Sequence, residues 1–241
     1  PVNAVFAIPT MGVNKETGFM QFPGQDGKPV SMQEYFKLQK NIWGGVTTSY
    51  TAKEFRHLFT YAGDMDPKFT GGFINRFVYK NVDLSISSSF FIDRIAQAAP
   101  FYRPDRVDPA INYTTEINKV WSDKNKDGIY PKILKPDLED EQTLIANNWY
   151  DGGDSSNSYN YYDIWIKKMS YWRINSIRLG YTIDEKILKS KYISSIRLNV
   201  ETRNPFVFGT DYKGFFDPEN YGNIYTQPIP KTVSFGVNVT F

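Results

Sequence analysis

The chain has 241 residues and a formal net charge of +2, with lysine and arginine dispersed along it, so it carries no electrostatic footprint for nucleic acid. It contains no cysteine, which excludes a disulfide framework and a thiolate metal site. Aromatic residues make up 17% of the chain, yet no window approaches the roughly 18 consecutive apolar residues of a membrane-crossing helix, so any membrane reading has to rest on strands.

Residues 1–71 show little strand character beyond one candidate near Asn3 to Ile8. Ser31–Met32–Gln33–Glu34 predicts a short helix start, with Met32, Tyr35, Phe36 and Trp43 on its apolar side. Thr51 and Glu54 have the spacing of a capping box, which predicts a second short surface helix. His57 follows it and is the only histidine. A Ser-His-Asp site would have to use His57, but no nucleophile-elbow pattern accompanies it, and no catalytic residue is assigned.

Gly72 to Tyr79 and Val82 to Ile92 flank Lys80–Asn81, a two-residue connection of hairpin length. In the second arm Val82, Leu84 and Ile86 alternate with Asp83, Ser85 and Ser87, the two-residue period of a strand with one apolar face. Residues 93–169 are irregular and rich in Asn, Asp, Pro, Gly and Tyr. Within them Asp123, Asn125 and Asp127, followed by Gly128, match the first half of a calcium loop, where alternate oxygen ligands converge while the glycine permits the turn. The twelfth position holds Leu134 in place of the expected glutamate, and a polar turn is the favoured reading of this stretch. Trp149, Tyr150, Tyr159, Tyr161, Tyr162 and Trp165 form the aromatic cluster best suited to substrate contact, since ring faces stack on sugars, while Asn147, Asn148, Asp151 and Asp154 could bond hydroxyls. The competing reading has these rings packing the loop or a protein partner.

Strand character returns at Ser170 to Ile183 and again at Ile193 to Arg203, joined by a short polar connection, Asp184 to Tyr192. Residues 204–230 form a second long irregular region. From Thr232 the alternation is strict, with Val233, Phe235, Val237, Val239 and Phe241 on one face and Ser234, Gly236, Asn238 and Thr240 on the other. Phe235, Val237, Val239 and Phe241 read as the signature of a closing barrel strand that ends in an aromatic girdle. Connections alternate short and long, as in barrels with tight periplasmic turns and large extracellular loops, whereas loops this long are uncommon inside compact soluble domains. If Phe241 lies at the periplasmic rim, both short turns fall on that side and both long regions outside. Five or six strands cannot close, because the smallest single-chain membrane barrels have about eight. The start at Pro1, with neither initiator methionine nor signal peptide, points the same way, and the chain reads as part of something longer.

These segments resemble, in order, the strands of SusC/RagA-type TonB-dependent transporters. Gly71–Gly72–Phe73–Ile74–Asn75 and Tyr79–Lys80–Asn81–Val82–Asp83–Leu84–Ser85 look like the family's first hairpin motif. Residues 171–181 (YWRINSIRLGY) resemble its "YLRLKNISLGY" strand, and Ile196 to Phe208 its "lrvyvsgqNLftf" segment. Tyr212–Lys213–Gly214–Phe215–Phe216–Asp217–Pro218–Glu219 is similar to "YkGyDPE", and Pro228 and Pro230 with Thr232 to Phe241 to "yPlprtytfGlnltF". Trp172 departs from the usual aliphatic and suits a girdle; Pro205 departs from the leucine expected after Asn204.

The resemblance implies an all-β fold, the C-terminal segment of about five or six antiparallel strands in a transmembrane β-barrel of about 22 strands. It divides the chain into an extracellular region with short helices over 1–71, transmembrane hairpins at 72–92 and 170–203, extracellular loops at 93–169 and 204–230, and a closing strand at 231–241. It implies a TonB-dependent importer of oligosaccharides or peptides in the outer membrane of a Gram-negative bacterium, without enzymatic activity or a resident cofactor; calcium at Asp123, Asn125 and Asp127 stays as a minority expectation. The partners implied are the remaining barrel and plug polypeptide, TonB through that plug, a SusD-like lipoprotein and lipid. A soluble β-sandwich that binds glycans at the cell surface is the alternative. It places Leu84, Ile177, Leu198 and Val237 in a core, whereas the barrel places them in one outward band. A surface glycoside hydrolase comes third, since no spacing picks out a carboxylate pair.

Overall fold

The computed structural model describes residues 2–42, 45–134, 141–151, 158–209, 217–220, 227 and 229–241. The chain divides into two units, one formed by Pro1–Gly63 with Gln97–Ile166 and the other by Asp64–Ala96 with Lys167–Phe241.

The second unit is a five-stranded antiparallel meander of β1 (Phe69–Tyr79), β2 (Val82–Ile92), β3 (Tyr171–Asp184), β4 (Ser195–Phe208) and β5 (Thr232–Thr240), each strand beside its sequence neighbour. Tyr79 pairs with Val82, so Lys80 and Asn81 alone make the β1–β2 turn, with Lys80 in the left-handed region at φ 50°. The β3–β4 connection holds a single helical turn, α1 (Glu185–Leu188), whose N-cap Asp184 accepts a bond from the Ile187 amide.

The cross-strand register decides the faces. Phe77, Leu84, Leu179, Val200 and Phe235 form one unbroken row over all five strands. Tyr79, Val82, Tyr181, Leu198 and Val237 form a second. This apolar face lies open: Phe235 is 79% and Val237 63% exposed. The sandwich expectation is thereby overturned, since Leu84, Ile177, Leu198 and Val237 share the uncovered face instead of packing into a core. Rings mark both ends of it. Trp172 lies 5.9 Å from both Phe73 and Phe208 at one end, while Tyr79 and Tyr181 share a row at the other. The nine residue steps from Trp172 to Tyr181 span roughly 30 Å of strand, which a tilt of about 35–45° reduces to roughly 21–25 Å, the height of a barrel's lipid-facing band.

Strand β4 continues five residues beyond the expected end at Arg203. The register slips between Ile174 and Ser176 on β3, opposite Asn204 and Pro205. A bulge there accommodates both departures: Asn204 adopts φ 51°, which asparagine tolerates, and Pro205 sits where no ladder amide is needed. β1 likewise starts at Phe69, three residues before the expected strand.

The first unit was read from sequence as loops, and it instead builds its own core from both of its segments. The strand Ala4–Ala7 pairs with Thr60–Asp64 in a two-stranded sheet of its own, so it does not join the five-stranded sheet as a sixth strand. The Ile8 amide donates to the Tyr161 carbonyl at 2.8 Å and the Asp163 amide to the Ile8 carbonyl at 3.0 Å, which ties residues near 8 to residues near 162. Both predicted helix starts form: α2 (Met32–Tyr35) is capped by Ser31, and α3 (Ala52–Arg56) carries the full Thr51–Glu54 capping box. Met32 and Phe36 are buried and Tyr35 stacks on Phe22 at 4.8 Å, whereas Trp43 lies outside the described residues. A longer helix, α4 (Glu141–Asp151), delivers Ile145, Ala146, Trp149 and Tyr150 to the core. Each large ring buried there contributes about 1.5–3 kcal/mol by area, offset by its lost rotamer freedom.

Candidate functional site

The polar face of the five-stranded sheet concentrates the chemistry of the second unit. Val78, Asp83, Gly180, Asn199 and Gly236 lie in one row, and Arg76, Ser85, Arg178, Glu201 and Ser234 in the next. Arg197 Nη2 on β4 donates to Asp83 Oδ1 on β2 at 2.6 Å, reaching across β3. Gly180 makes that reach possible. A Cβ there would stand 2.5 Å from Asp83 Oδ1 and 2.7 Å from Arg197 Nη2. Arg76 Nη2 lies 4.0 Å from the other oxygen of the same carboxylate. One row away, Glu201 accepts from Arg178 at 3.2 Å and from Arg203 at 2.9 Å. Among the described residues this face thus carries a bonded Arg197–Asp83 pair with Arg76 nearby, and a Glu201 carboxylate held between two guanidiniums.

A third cluster ties a connection to the sheet. Arg173, buried on β3, donates through Nη2 to Asp217 Oδ1 and through Nε to Glu219 Oε1 at 2.9 Å. The Glu219 amide donates back to Asp217 Oδ1 at 3.0 Å, so the Asp217–Pro218–Glu219 turn presents both carboxylates to one guanidinium.

The residues proposed from sequence fall elsewhere. Trp149, Tyr150, Tyr159, Tyr162 and Trp165 are core residues of the first unit, with Trp149 1% and Tyr162 0% exposed. Tyr159 lies edge-on to Tyr162 at 5.3 Å and to Trp165 at 5.4 Å, and the Trp165 indole donates to the Tyr159 carbonyl at 2.9 Å. A ring enclosed in this way has no face for a sugar, so these five serve packing. Only Tyr161 of the cluster is exposed, with Phe59 edge-on at 5.5 Å. Burial raises the hydroxyl pKa of Tyr102, Tyr150, Tyr159 and Tyr162, and pushes Tyr35 up to about 12. Of the amide and carboxylate neighbours, Asp154 lies outside the described residues.

The calcium expectation meets a poor donor set. Asn125 turns its amide nitrogen onto the carbonyls of Asn118 and Val120 at 3.1 and 3.3 Å, and Asp127 pairs with Lys15 at 2.5 Å. Lys15 holds the Asp127 carboxyl below its ordinary pKa, first by hydrogen bonding and then by charge. Asp123 is exposed, and no group of three acidic or histidine side chains converges among the described residues. His57 is the exposed C-cap of α3. The Thr51 side chain and amide hold the neighbouring Glu54 carboxyl below its usual range. Phe235, Val237 and Val239 stand on the open apolar face, and Phe241 is exposed just past the strand's end.

No family model matches the chain. TonB-dependent receptor P3 of Formosa agariphila is 28% identical over 194 residues, which cover 74% of this chain and 17% of the receptor. The solved RagAB peptide transporter superposes on 99% of this chain with a TM-score of 0.60 at 20% identity, over 22% of its own matched chain. The open-open state of the RagAB peptide importer superposes equally well, with a TM-score of 0.61. The fold is that of a TonB-dependent barrel transporter. The chain spans about a fifth of the length of the relatives it matches. The five-stranded sheet matches part of that fold, and the sequence match is to a TonB-dependent receptor.

Of the polar-face residues, Arg197 and Glu201 lay on a strand whose polar side was legible, but their partners were not. Asp83 reaches Arg197 over an intervening strand, and only the register reveals that.

Proposed function

We propose that this chain forms wall and external loops of a TonB-dependent outer-membrane importer of oligosaccharides or peptides, one that works with a SusD-like surface lipoprotein. The observation that carries this reading is the two-faced sheet: two unbroken apolar rows open on one side, and a charged, glycine-spaced surface on the other. Lipid satisfies the first face and a watery lumen the second, whereas a water-soluble domain would leave the apolar rows exposed. The short β1–β2 and β3–β4 turns then lie at the periplasmic rim, and the first unit lies outside the cell. The chain performs no reaction; its relatives are transporters, and energy would come through the plug and TonB.

Detergent extraction of outer membranes followed by native mass analysis tests the reading. Co-purification with barrel and plug sequence and with a lipoprotein is the expected result. A monomer of this chain that stays soluble without detergent would overturn it.

A further inference from the structure

The connection between β3 and β4 combines lysines with apolar side chains that nothing in the second unit covers. Lys186, Lys189 and Lys191 are all exposed, and beside them Ile187 is 55% and Tyr192 83% exposed. The backbone that presents them is well tied. Lys189 closes α1 in the left-handed region at φ 50°, and Ser190 Oγ accepts from the Tyr192 and Ile193 amides at 3.2 and 3.1 Å. The β1–β2 turn at the same end of the sheet adds Lys80, whose Nζ lies 5.3 Å from the centre of the exposed Tyr79 ring. With Arg197 matched to Asp83, these four lysines share the two turns with two side-chain carboxylates, Asp184 and Glu185. Asp184 already accepts from the Ile187 amide and the Asn81 side chain. Among the described residues none of the four lysines has a carboxylate within ion-pair distance.

Depth places these groups. Tyr79 and Tyr181 are the rings that mark this end of the apolar face, and Asp184 lies three residues beyond Tyr181. That is roughly 10 Å of strand, or roughly 7–8 Å along the membrane normal at a tilt of about 35–45°. A headgroup layer of about 5–8 Å flanks each side of a bilayer core, so α1 and its lysines stand at headgroup level. From this geometry we infer that the β3–β4 tip, together with Lys80, is a docking surface for anionic phospholipid headgroups of the periplasmic leaflet. The inference rests on the transport reading above, which puts both short turns at the periplasmic rim, and it adds a lipid partner of stated charge. Ile187 and Tyr192 enter the boundary of the acyl chains, while the lysine stems follow them and carry their ammonium groups back to the phosphates. A lysine is a compact point charge that attracts phosphate without demanding one fixed geometry, which suits a fluid headgroup layer. A zwitterionic headgroup brings its own cation, so it attracts this surface less than a headgroup with net negative charge.

The test uses the complete transporter in neutral detergent at low salt, offered an equimolar mixture of phosphatidylglycerol and phosphatidylcholine with matched acyl chains. Retained lipid is then counted by native mass analysis. Phosphatidylglycerol is retained about tenfold over phosphatidylcholine, Lys186→Gln with Lys191→Gln brings the ratio near parity, and Lys186→Arg with Lys191→Arg keeps it. Equal retention of the two lipids by the wild type overturns the inference, and so does an unchanged preference in the glutamine variant. Should that variant not assemble, the wild type still decides: the preference shrinks as salt rises, and a preference indifferent to salt overturns the inference. Release of phosphatidylglycerol by millimolar inorganic phosphate at constant ionic strength also overturns it, because the lysines would then serve a soluble anion. Recovery of the chain in the outer-membrane fraction tests the barrel reading by itself. Membrane recovery without lipid preference removes only this inference, whereas a chain that stays soluble without detergent removes both.

Discussion

Arg173→Gln is the perturbation that separates a latch from an incidental contact. The guanidinium is buried on β3 and serves two carboxylates of the connection that follows β4, Asp217 with a side chain 10% exposed and Glu219 at 38%. Deleting the cation leaves Asp217 nearly enclosed without a counter-charge, and removal of one partner from a buried pair typically costs about 3–5 kcal/mol. Glu219 can turn to water, so most of that cost falls on Asp217. Local release of the turn is the cheaper outcome, since it rehydrates both carboxylates while the strand ladder stays intact. Limited proteolysis of the folded barrel reads this directly: cleavage within 209–231 accelerates by two or more orders of magnitude, about 1.4 kcal/mol per tenfold, with mobility of the unboiled barrel on gels unchanged. Adding Asp217→Asn to the variant recovers most of the protection, because no buried charge is left unpaired. Equal protection in wild type and Arg173→Gln would refute the reasoning, as would a double variant no better than the single.

Leu179→Arg places a charge mid-strand on the apolar face and destabilises the barrel in lipid by about 2–4 kcal/mol, whereas Ser234→Arg on the polar face changes stability far less; urea unfolding in vesicles compares them. Gly180→Ala drives a methyl group into the Arg197–Asp83 bond and costs about 1–3 kcal/mol, the range for a covered polar pair forced open, and Arg197→Gln in the same background adds little further. The first unit loses stability in alkali. Its buried phenols have raised pKa values, so below the ordinary value of 10.0 both folded and unfolded chains are neutral and the stabilisation is complete. As pH rises through the range up to about 12 for Tyr35, the unfolded chain ionises first and folding weakens. Phenolate absorbance that follows free tyrosine would contradict that burial.

The strands were legible wherever one face is apolar and the other polar throughout. β5 alternates without exception, and β2 over its first half, so their faces followed from period two alone. β1 does not: Phe73 is followed by Ile74 and Phe77 by Val78, and only pairing with Ser88 through Asp83 assigns Ile74 and Val78 to the polar side. The end of β4 was hidden by Asn204–Pro205, a pair that normally stops a strand and here fills a bulge. The first unit stayed unread because its contacts join segments some 150 residues apart, such as Thr10 with Asp163, and carry no local period. The same blindness turned Trp149, Tyr159, Tyr162 and Trp165 into ligand candidates. Sequence shows that rings cluster but not whether water reaches them.

The β1–β2 hairpin interrupts the first unit in sequence, and this shapes the order in which the chain can fold. Residues up to 63 and from 97 to 166 share one aromatic core, yet all of 64–96 intervenes. Left slack, that insert would set an entropic toll on bringing the two halves together. A zipped hairpin lowers it, because Phe69 pairs with Ile92 and the Lys68 amide reaches the Asp93 carbonyl, which leaves a far shorter effective loop. The two-residue turn at Lys80–Asn81 therefore acts as a clasp for a core built wholly from other residues, and slowing that turn postpones ring packing around Trp149 and Tyr162.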